Sequence, residues 1–319
     1  MPELAVFIIS LAAIIFGADW LGNSAIYIAK QLSLPRILIG ATIVSLATTI
    51  PEIVIAAISG VSGVPELGIS TAFGSPIVNI GLIFGILLLF SKAEVDKTAY
   101  IRTIQFFLVI LAFVFLFSFG GTISQFSGVV LIILGIVYLM IEFVIGRHEE
   151  NFLESIETRF ERLKNFFASR KNYHQIFYLI AGGLLLFGGG HFLVGSGVIL
   201  ADVLGVPQII IGLLVIAFGT SLPEAFIAIS SIVKNRPQVS TGNLFGASIL
   251  DLTIAVGAAS VFGGVNIDAG GLYLTIGTTA VLATISLFSI FGKISPKILG
   301  GLLIIIYFVF VAWFAGLEF

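Results

Sequence analysis

Long apolar segments follow one another along almost the whole chain, separated by short polar stretches. About 20 apolar residues in a helix cross the roughly 30 Å hydrocarbon core of a bilayer. Segments of this kind lie at 4–30, 36–60, 66–90, 103–119, 124–146, 176–203, 208–233, 237–262, 271–292 and 296–316. The pattern therefore predicts an all-α polytopic membrane protein with ten transmembrane helices. The longest polar stretch, 147–175, has spaced Phe, Leu and Ile residues and is predicted to be a linker or a helix at the membrane surface.

The composition agrees with this class. Hydrophobic residues make up 58% of the chain and charged residues only 10%, whereas a soluble domain has about 25% charged residues. The chain has no cysteine, which excludes disulfides, thiol catalysis and zinc–thiolate sites. We expect the lipid bilayer to surround the protein, no nucleic acid to bind it, and a monomer to be its working form.

The positions of the basic residues predict the topology. All 15 Lys and Arg residues lie in or beside connections that fall on one side of the predicted spans, and the largest group lies in 147–175. Basic residues concentrate on the cytoplasmic side of membrane proteins. We therefore expect a multi-pass protein of the plasma membrane, with both termini outside the cell and the basic stretch 147–175 in the cytoplasm. Glu142, near the end of the fifth span, is expected to lie at the membrane interface.

An internal repeat relates the two halves of the chain. TTIPE at 48–52 returns as TSLPE at 220–224, and 33–60 overlays 205–232 at an offset of 172 residues with ten of 28 positions identical. The next helix continues the match, because FGSPIVN at 73–79 overlays FGASILD at 245–251. We divide the chain into a first repeat, 1–146, the linker 147–175 and a second repeat, 176–319.

The two repeats must cross the membrane in opposite senses, because each holds five predicted spans and five is an odd number. Inverted repeats of this kind are typical of secondary transporters, whose binding site lies near the membrane midplane at the repeat interface. The organisation of the chain thus indicates transport by alternating access.

The repeated motif also places oxygen atoms near the middle of the membrane. Pro51 and Pro223 lack a backbone N–H, so each is predicted to open its helix and free a carbonyl one turn earlier. A charged residue at a helix centre costs about 2.5–3.5 kcal/mol on insertion scales, which argues against a purely structural role for several of them. Taken singly, the hydroxyl residues are more typical of helix packing, but their joint repetition favours an ion site. The candidate ligands are Thr48, Thr49, Glu52, Ser75, Asn79, Thr220, Ser221, Glu224 and Asp251.

This candidate set contains only oxygen donors, and the four helices that carry it have no histidine. Hard cations prefer such ligands, and Ca²⁺ takes about 6–8 of them. Buried carboxylates repel one another unless a divalent cation or protons neutralise them. We therefore expect Ca²⁺ as a transported ion, no resident cofactor and no catalytic residue.

These motifs resemble those of the calcium/cation antiporter superfamily. Its two repeats carry a G-T-S-L-P-E-type motif on one helix and a G-S-x-x-x-N/D-type motif on the next, here GTSLPE at 219–224, ATTIPE at 47–52, GSPIVN at 74–79 and GASILD at 246–251. The resemblance implies that Glu52 and Glu224 hold Ca²⁺ together with the carbonyls of Thr48 and Thr220. It also implies flanking monovalent-cation sites at Thr49, Ser75, Thr220 and Ser221, with Asn79 and Asp251 at the centre, and a sliding motion of the first and sixth helices.

One departure from the family pattern bears on the counter-ion. Ala247 occupies the position in the second repeat that corresponds to Ser75, so one hydroxyl ligand of the sodium/calcium branch is missing. Protons need no such cage, because Glu52 and Glu224 can carry them directly. This favours H⁺ slightly over Na⁺, although the G-N-A-x-E-type motif of the proton-coupled branch is absent.

Two other functional classes compete with an antiporter. A cation channel could use the same oxygen atoms, but an inverted repeat argues against it. An intramembrane metalloprotease would need clustered histidines or an H-E-x-x-H motif, and the chain has neither. We therefore expect an exchanger of Ca²⁺ for a monovalent cation, and not an enzyme.

Overall fold

The computed structural model describes residues 2–31, 44–90, 97–149, 164, 172–233, 237–291 and 294–316. Most of the predicted linker 147–175 lies outside these residues. Ten helices occupy the described residues. They are α1 (Pro2–Gln31), α2 (Ser45–Val61), α3 (Pro65–Phe90), α4 (Lys97–Phe117), α5 (Gln125–Glu149), α6 (Tyr173–Leu204), α7 (Gln208–Thr220 and Leu222–Val233), α8 (Pro237–Ser260), α9 (Ala269–Phe291) and α10 (Pro296–Gly316).

The prediction of ten membrane helices is confirmed within the described part of the chain. Nine of the helices are long and apolar enough to cross a bilayer, and α2 is a shorter apolar helix whose predicted beginning, 36–43, lies outside the described residues. Helix α4 begins at Lys97, six residues before its predicted apolar span. Hydropathy marks only the part of a helix inside hydrocarbon, so it misses a polar first turn.

Local sequence explains several helix ends. Helix α3 begins at Pro65, where the missing N–H costs nothing, and Glu66 in its first turn favours the positive end of the helix dipole. Helix α6 ends at Leu204 because Gly205 adopts a left-handed conformation, with φ of 66°.

The membrane helices α3 and α8 carry π-helical segments at matching places in the two repeats. These segments are Val78–Ile83 and Asp251–Ala255. A π-helical turn widens the helix locally and is frequent at functional sites. Asn79 and Asp251 lie in these two segments, so the widened turns fall on the residues that the family resemblance implies at the centre of the site.

The helices form two packed groups. Helices α1 and α6 lie along each other and approach closely at Gly17 and Gly182, where a Cβ atom on either glycine would lie 2.7–2.8 Å from a carbonyl oxygen of the other helix. The other helices enclose the main hydrophobic core around α3 and α8, the two spans with the largest buried shares. The candidate site therefore lies on the most enclosed helices of the protein.

A short antiparallel ribbon joins two loops on the side opposite the basic connections, hereafter the opposite side. It pairs β1 (Thr122–Ile123) with β2 (Val265–Asn266). The basic side is the side of the Lys- and Arg-bearing connections, including 147–175. The ribbon ties the α4–α5 loop of the first repeat to the α8–α9 loop of the second.

A buried ion pair connects α4 and α5 near the basic side. Arg102 Nη2 lies 3.3 Å from Glu142 Oε2, with Arg102 30% exposed and Glu142 only 6% exposed. The Glu142 side chain therefore lies inside the protein, seven residues before the end of α5, and its expected depth at the membrane interface stays a prediction. The cation partner makes this burial possible, since a paired carboxylate can be buried at a much lower cost than a single one.

We expect Arg102→Gln to destabilise the protein by about 1–3 kcal/mol, because it leaves a buried carboxylate without its cation. The double variant Arg102→Gln/Glu142→Gln is expected to recover most of this loss, since it removes the charge as well. Thermal unfolding in detergent measures both effects. Equal losses in the single and double variants would show that the pair contributes nothing through its charge.

Candidate ion-binding site

All nine predicted ligands are buried. Thr48 is 8% exposed, and each of the other eight is at most 1% exposed. They come from α2 and α3 in the first repeat and from α7 and α8 in the second. The packing of α2 on α3 and α8, and of α7 on α3, brings the two repeats together at this point.

The carboxylates of the two repeats face each other through threonines in a reciprocal arrangement. The Thr220 side chain neighbours the Glu52 carboxylate, and Thr48 neighbours that of Glu224. Asp251 lies close enough to both glutamates to interact with their charges. The structure thus gathers three buried carboxylates at the interface of the repeats, where they would repel one another without a neutralising cation or protons.

The threonine hydroxyls direct their hydrogens away from the site. Thr48 and Thr49 both donate to the carbonyl of Ser45, at 3.2 and 2.7 Å, and Thr220 donates to that of Ile216 at 3.0 Å. A hydroxyl that donates its hydrogen to the backbone still has oxygen lone pairs free to accept or to bind a cation. The back-bonding typical of threonine in apolar helices is therefore compatible with a ligand role.

Unpaired polar atoms concentrate at this place. Among the described residues, 12 buried side-chain N and O atoms have no hydrogen-bond partner, and six of them belong to the predicted ligands. These six are Glu52 Oε2, both polar atoms of the Asn79 side chain, Ser221 Oγ, Glu224 Oε2 and Asp251 Oδ1. Buried polar groups usually have partners, so such a cluster indicates a site for a ligand.

The carboxylates do not form a metal cage by themselves. In the described residues no group of three or more His, Asp or Glu side chains converges tightly enough to hold a metal ion. Hydroxyl, amide and carbonyl oxygens must therefore supply the remaining ligands for a bound cation. The oxygen donors beside the carboxylates fit that requirement, because Ca²⁺ accepts ligands of all these kinds.

The two prolines act differently in the two repeats. Helix α7 is interrupted at Ser221, between the segments that end at Thr220 and begin at Leu222. Helix α2 instead continues without a break from Ser45 to Val61, with Pro51 inside it. The prediction that Pro51 opens its helix was therefore wrong. A proline removes one N–H but need not end a helix when neighbouring helices hold the backbone in place.

The site is also asymmetric in its side chains. Ser75 donates to Glu52 Oε1 at 3.3 Å, whereas the corresponding residue, Ala247, is fully buried and offers no hydroxyl to Glu224. Asn79 in the first repeat corresponds to the charged Asp251 in the second. The second repeat therefore contributes more negative charge and one fewer hydroxyl.

The structure also separates two other polar residues of the paired helices from this site. Asp19 is exposed and accepts a hydrogen bond from Asn23 at 2.8 Å, and His191 is exposed beside the ring of Phe192. Sequence reasoning missed other buried polar residues, Ser240 and Asn243 of α8. Their signal was a polar run inside an apolar span, but neither residue repeats at the 172-residue offset.

Comparison with known proteins agrees with this architecture. A family model described as sodium/calcium exchanger protein matches residues 3–144 and 174–316, which is most of the chain. The chain belongs to the sodium/calcium exchanger family. The resemblance to the calcium/cation antiporter superfamily is thereby confirmed.

Individual relatives match over most of their length. An uncharacterised membrane protein of Methanocaldococcus jannaschii is 30% identical over 256 residues, 80% of each chain. The sodium/calcium exchanger MaX1 of Methanosarcina acetivorans is 25% identical over 88% of this chain and 89% of its own. The sodium-calcium exchanger NCX_Mj, in a structure soaked with 100 mM Na⁺ and 10 mM Sr²⁺, is 26% identical with a TM-score of 0.68 and covers 99% of each chain. This exchanger has a multi-pass fold of two inverted five-helix repeats, and the present chain shares it.

Proposed function

We propose that this protein is a secondary active antiporter that exchanges Ca²⁺ for a monovalent cation by alternating access. The observation that carries the proposal is the cluster of three buried carboxylates at the interface of the repeats, which together with Asn79 and Ser221 holds six unpaired polar atoms. Ca²⁺ would neutralise two of the three negative charges. A transporter fold with inverted repeats and a midplane site supports alternating access over a channel or an enzyme.

Each predicted ligand has a role in this scheme. Glu52 and Glu224 would hold Ca²⁺, with backbone oxygens of Thr48 and Thr220 beside them. Thr49, Ser75, Thr220 and Ser221 would contribute to flanking monovalent-cation sites, and Asn79 and Asp251 would lie between them. Helices α1 and α6, which pack lengthwise on each other, would slide past the remaining helices to open one side at a time.

We propose Na⁺ as the monovalent ion. The nine candidate side chains carry twelve oxygen atoms, more than the roughly 6–8 that one Ca²⁺ binds. The surplus suits additional cation sites beside the Ca²⁺ site. The names of two relatives, MaX1 and NCX_Mj, also identify them as sodium/calcium exchangers.

One specific observation favours H⁺ as a second candidate. Ala247 leaves Glu224 without the serine partner that Glu52 has in Ser75, so Glu224 has less support as part of a Na⁺ site. A carboxylate can carry a proton without any further ligand. The slight preference for H⁺ from the sequence stays a prediction.

The proposal includes a location. The protein would lie in the plasma membrane as a monomer, with the basic side in the cytoplasm and both termini outside, because basic residues mark the cytoplasmic side. It would need no resident cofactor.

Ca²⁺ uptake into proteoliposomes tests the proposal. Uptake is measured under an imposed Na⁺ gradient and, separately, under an imposed pH gradient. We expect uptake driven by the Na⁺ gradient, and uptake driven by the pH gradient alone would establish H⁺ instead. Ca²⁺ uptake down its own gradient, without any exchanged ion, would identify a channel, and uptake under none of these conditions would overturn transport of Ca²⁺.

In the same assay we expect Ala247→Ser to raise the apparent affinity for Na⁺ several-fold, because it gives Glu224 the hydroxyl partner that Glu52 has. The Na⁺ concentration for half-maximal exchange measures this change, and Ca²⁺ affinity should move much less. Ser248→Ala is the matched control, since the Ser248 hydroxyl is committed to the carbonyl of Leu244 at 2.7 Å. An unchanged Na⁺ dependence in Ala247→Ser would remove position 247 from the monovalent-ion site.

A further inference from the structure

Two polar side chains of α8 outside the candidate site are buried without hydrogen-bond partners. Ser240 and Asn243 have no exposed surface. Ser240 Oγ and both polar atoms of the Asn243 side chain have no partner among the described residues. An unpaired amide in an apolar environment is costly, and an apolar side chain at 243 would avoid that cost. A buried amide and a buried hydroxyl without partners in this part of the structure point to a function in another conformation of the protein.

Their position on α8 connects them with the candidate site. Ser240, Asn243, Ala247 and Asp251 follow at intervals of three or four residues, which places them within about 80° of one another on a regular helix. At about 1.5 Å per residue, this face runs for about 16 Å from Ser240 to Asp251. All four residues are buried. A polar face thus leads from the beginning of α8, on the basic side, to the carboxylates.

Other polar groups lie on the same side of the site. Gly246, one turn from Asn243, lies against Ser45 Oγ at the beginning of α2 and the hydroxyl of Tyr138 in α5, which are 2.8 and 3.2 Å from the place of a Cβ atom. The Arg102–Glu142 ion pair lies near by, because Glu142 is one helical turn beyond Tyr138 toward the basic side. Four helices, α2, α4, α5 and α8, therefore bring polar groups to this region.

We propose that Ser240 and Asn243 line the cation pathway between the carboxylate site and the basic side, and that their side chains become hydrated when this half of the protein opens. The proposal rests on the proposed antiport function, which requires one route to the site from each side. In the present conformation the pathway is closed, since its residues are buried. When it is open, the Asn243 carbonyl and the Ser240 hydroxyl replace part of the hydration shell of a passing cation.

Cysteine accessibility tests this pathway directly, because the chain has no cysteine of its own. Ser240→Cys and Asn243→Cys are exposed to a membrane-impermeant methanethiosulfonate reagent from one side of the membrane at a time. Ala247→Cys and Ile249→Cys form the matched pair, since both positions are fully buried at similar depth but lie on opposite faces of α8. Two further variants serve as references for the two sides of the membrane. Ser169→Cys, in the stretch 147–175, reports the basic side. Ser62→Cys, which lies between α2 and α3 and is exposed in the structure, reports the opposite side.

We expect cysteines at 240, 243 and 247 to react from the basic side at least tenfold faster than from the opposite side, and cysteine at 249 to stay unreactive from both. Asn243→Leu should slow exchange at least tenfold, while Asn243→Ser keeps most of the rate. Reaction of 243 only from the opposite side, or equal reaction of 247 and 249, would overturn the pathway. The labelling measures accessibility and not ion flux, so a protein that showed no exchange but kept this labelling would refute the proposed function and leave the pathway supported.

Discussion

Glu52→Gln is expected to abolish Ca²⁺ exchange, with a loss of about two to three orders of magnitude in the initial rate. The carboxylate accepts a hydrogen bond from Ser75 at one oxygen, and its other oxygen has no partner among the described residues and so can bind a cation. Truncating one partner of a buried charge pair in a complex, here the carboxylate that would pair with Ca²⁺, costs about 2–5 kcal/mol of binding free energy, and each 1.4 kcal/mol is a factor of ten in affinity. Glutamine keeps the shape of the side chain but removes the charge that binds Ca²⁺.

Glu224→Gln should cause a loss of the same order, because Glu224 holds the corresponding position across the repeat interface. Exchange in proteoliposomes under a Na⁺ or pH gradient measures both variants. Glu66→Gln is the matched control, since it removes the same charge at the beginning of α3, outside the candidate site. Near-normal exchange by Glu52→Gln, with Glu66→Gln equally active, would remove Glu52 from the transport site.

Much of this architecture was predictable because membrane insertion imposes simple rules. Every predicted span corresponds to a helix, since an apolar segment in lipid must satisfy its backbone internally. The 172-residue offset also singled out candidate residues that the structure buries, because Gly, Thr, Pro and Glu in register are not produced by apolar composition alone.

Features that depend on long-range packing were not visible in the sequence. Arg102 and Glu142 are 40 residues apart and pair only because α4 and α5 meet. The different behaviour of Pro51 and Pro223 is also set by context, since the same residue interrupts α7 near Ser221 but not α2. The intrinsic propensity of a residue limits the backbone conformations that it can adopt. Packing against neighbouring helices determines which of these conformations occurs.

The differences between the repeats lie in the candidate ligands as well as in the backbone. Glu52 has Ser75 as a partner, whereas Ala247 denies Glu224 the same support. A pathway on the basic side lined by Ser240 and Asn243 would add another difference, because the corresponding positions of the first repeat are Gly68 and Thr71. Inverted repeats supply two related conformations, but unequal side chains allow the two sides of the membrane to present different routes to one site.

The glycines at matching positions of the two motifs also have different neighbours in the two repeats. This difference predicts the largest effect on stability. Gly74 lies where α3 crosses α7, and a Cβ atom there would be 2.5 Å from the carbonyl oxygen of Leu213 and 2.7 Å from Cβ of Ala217. Backbone cannot move aside as a side chain can, so Gly74→Ala must push α3 and α7 apart. We expect a loss of about 1–3 kcal/mol or more in stability, together with a strong loss of exchange because both helices carry ligands.

Gly246→Ala, at the matching position of the second repeat, provides the control. There the added atom would meet the side-chain hydroxyls of Ser45 and Tyr138, at 2.8 and 3.2 Å, and the closer of the two, that of Ser45, can move aside by rotation about χ1. Thermal unfolding of both variants in detergent should therefore show a much larger fall in Tm for Gly74→Ala than for Gly246→Ala. Equal falls in Tm would mean that the close approach of α3 and α7 is not what fixes the geometry of the site, because the two positions are equivalent in sequence and differ only in what lies against them.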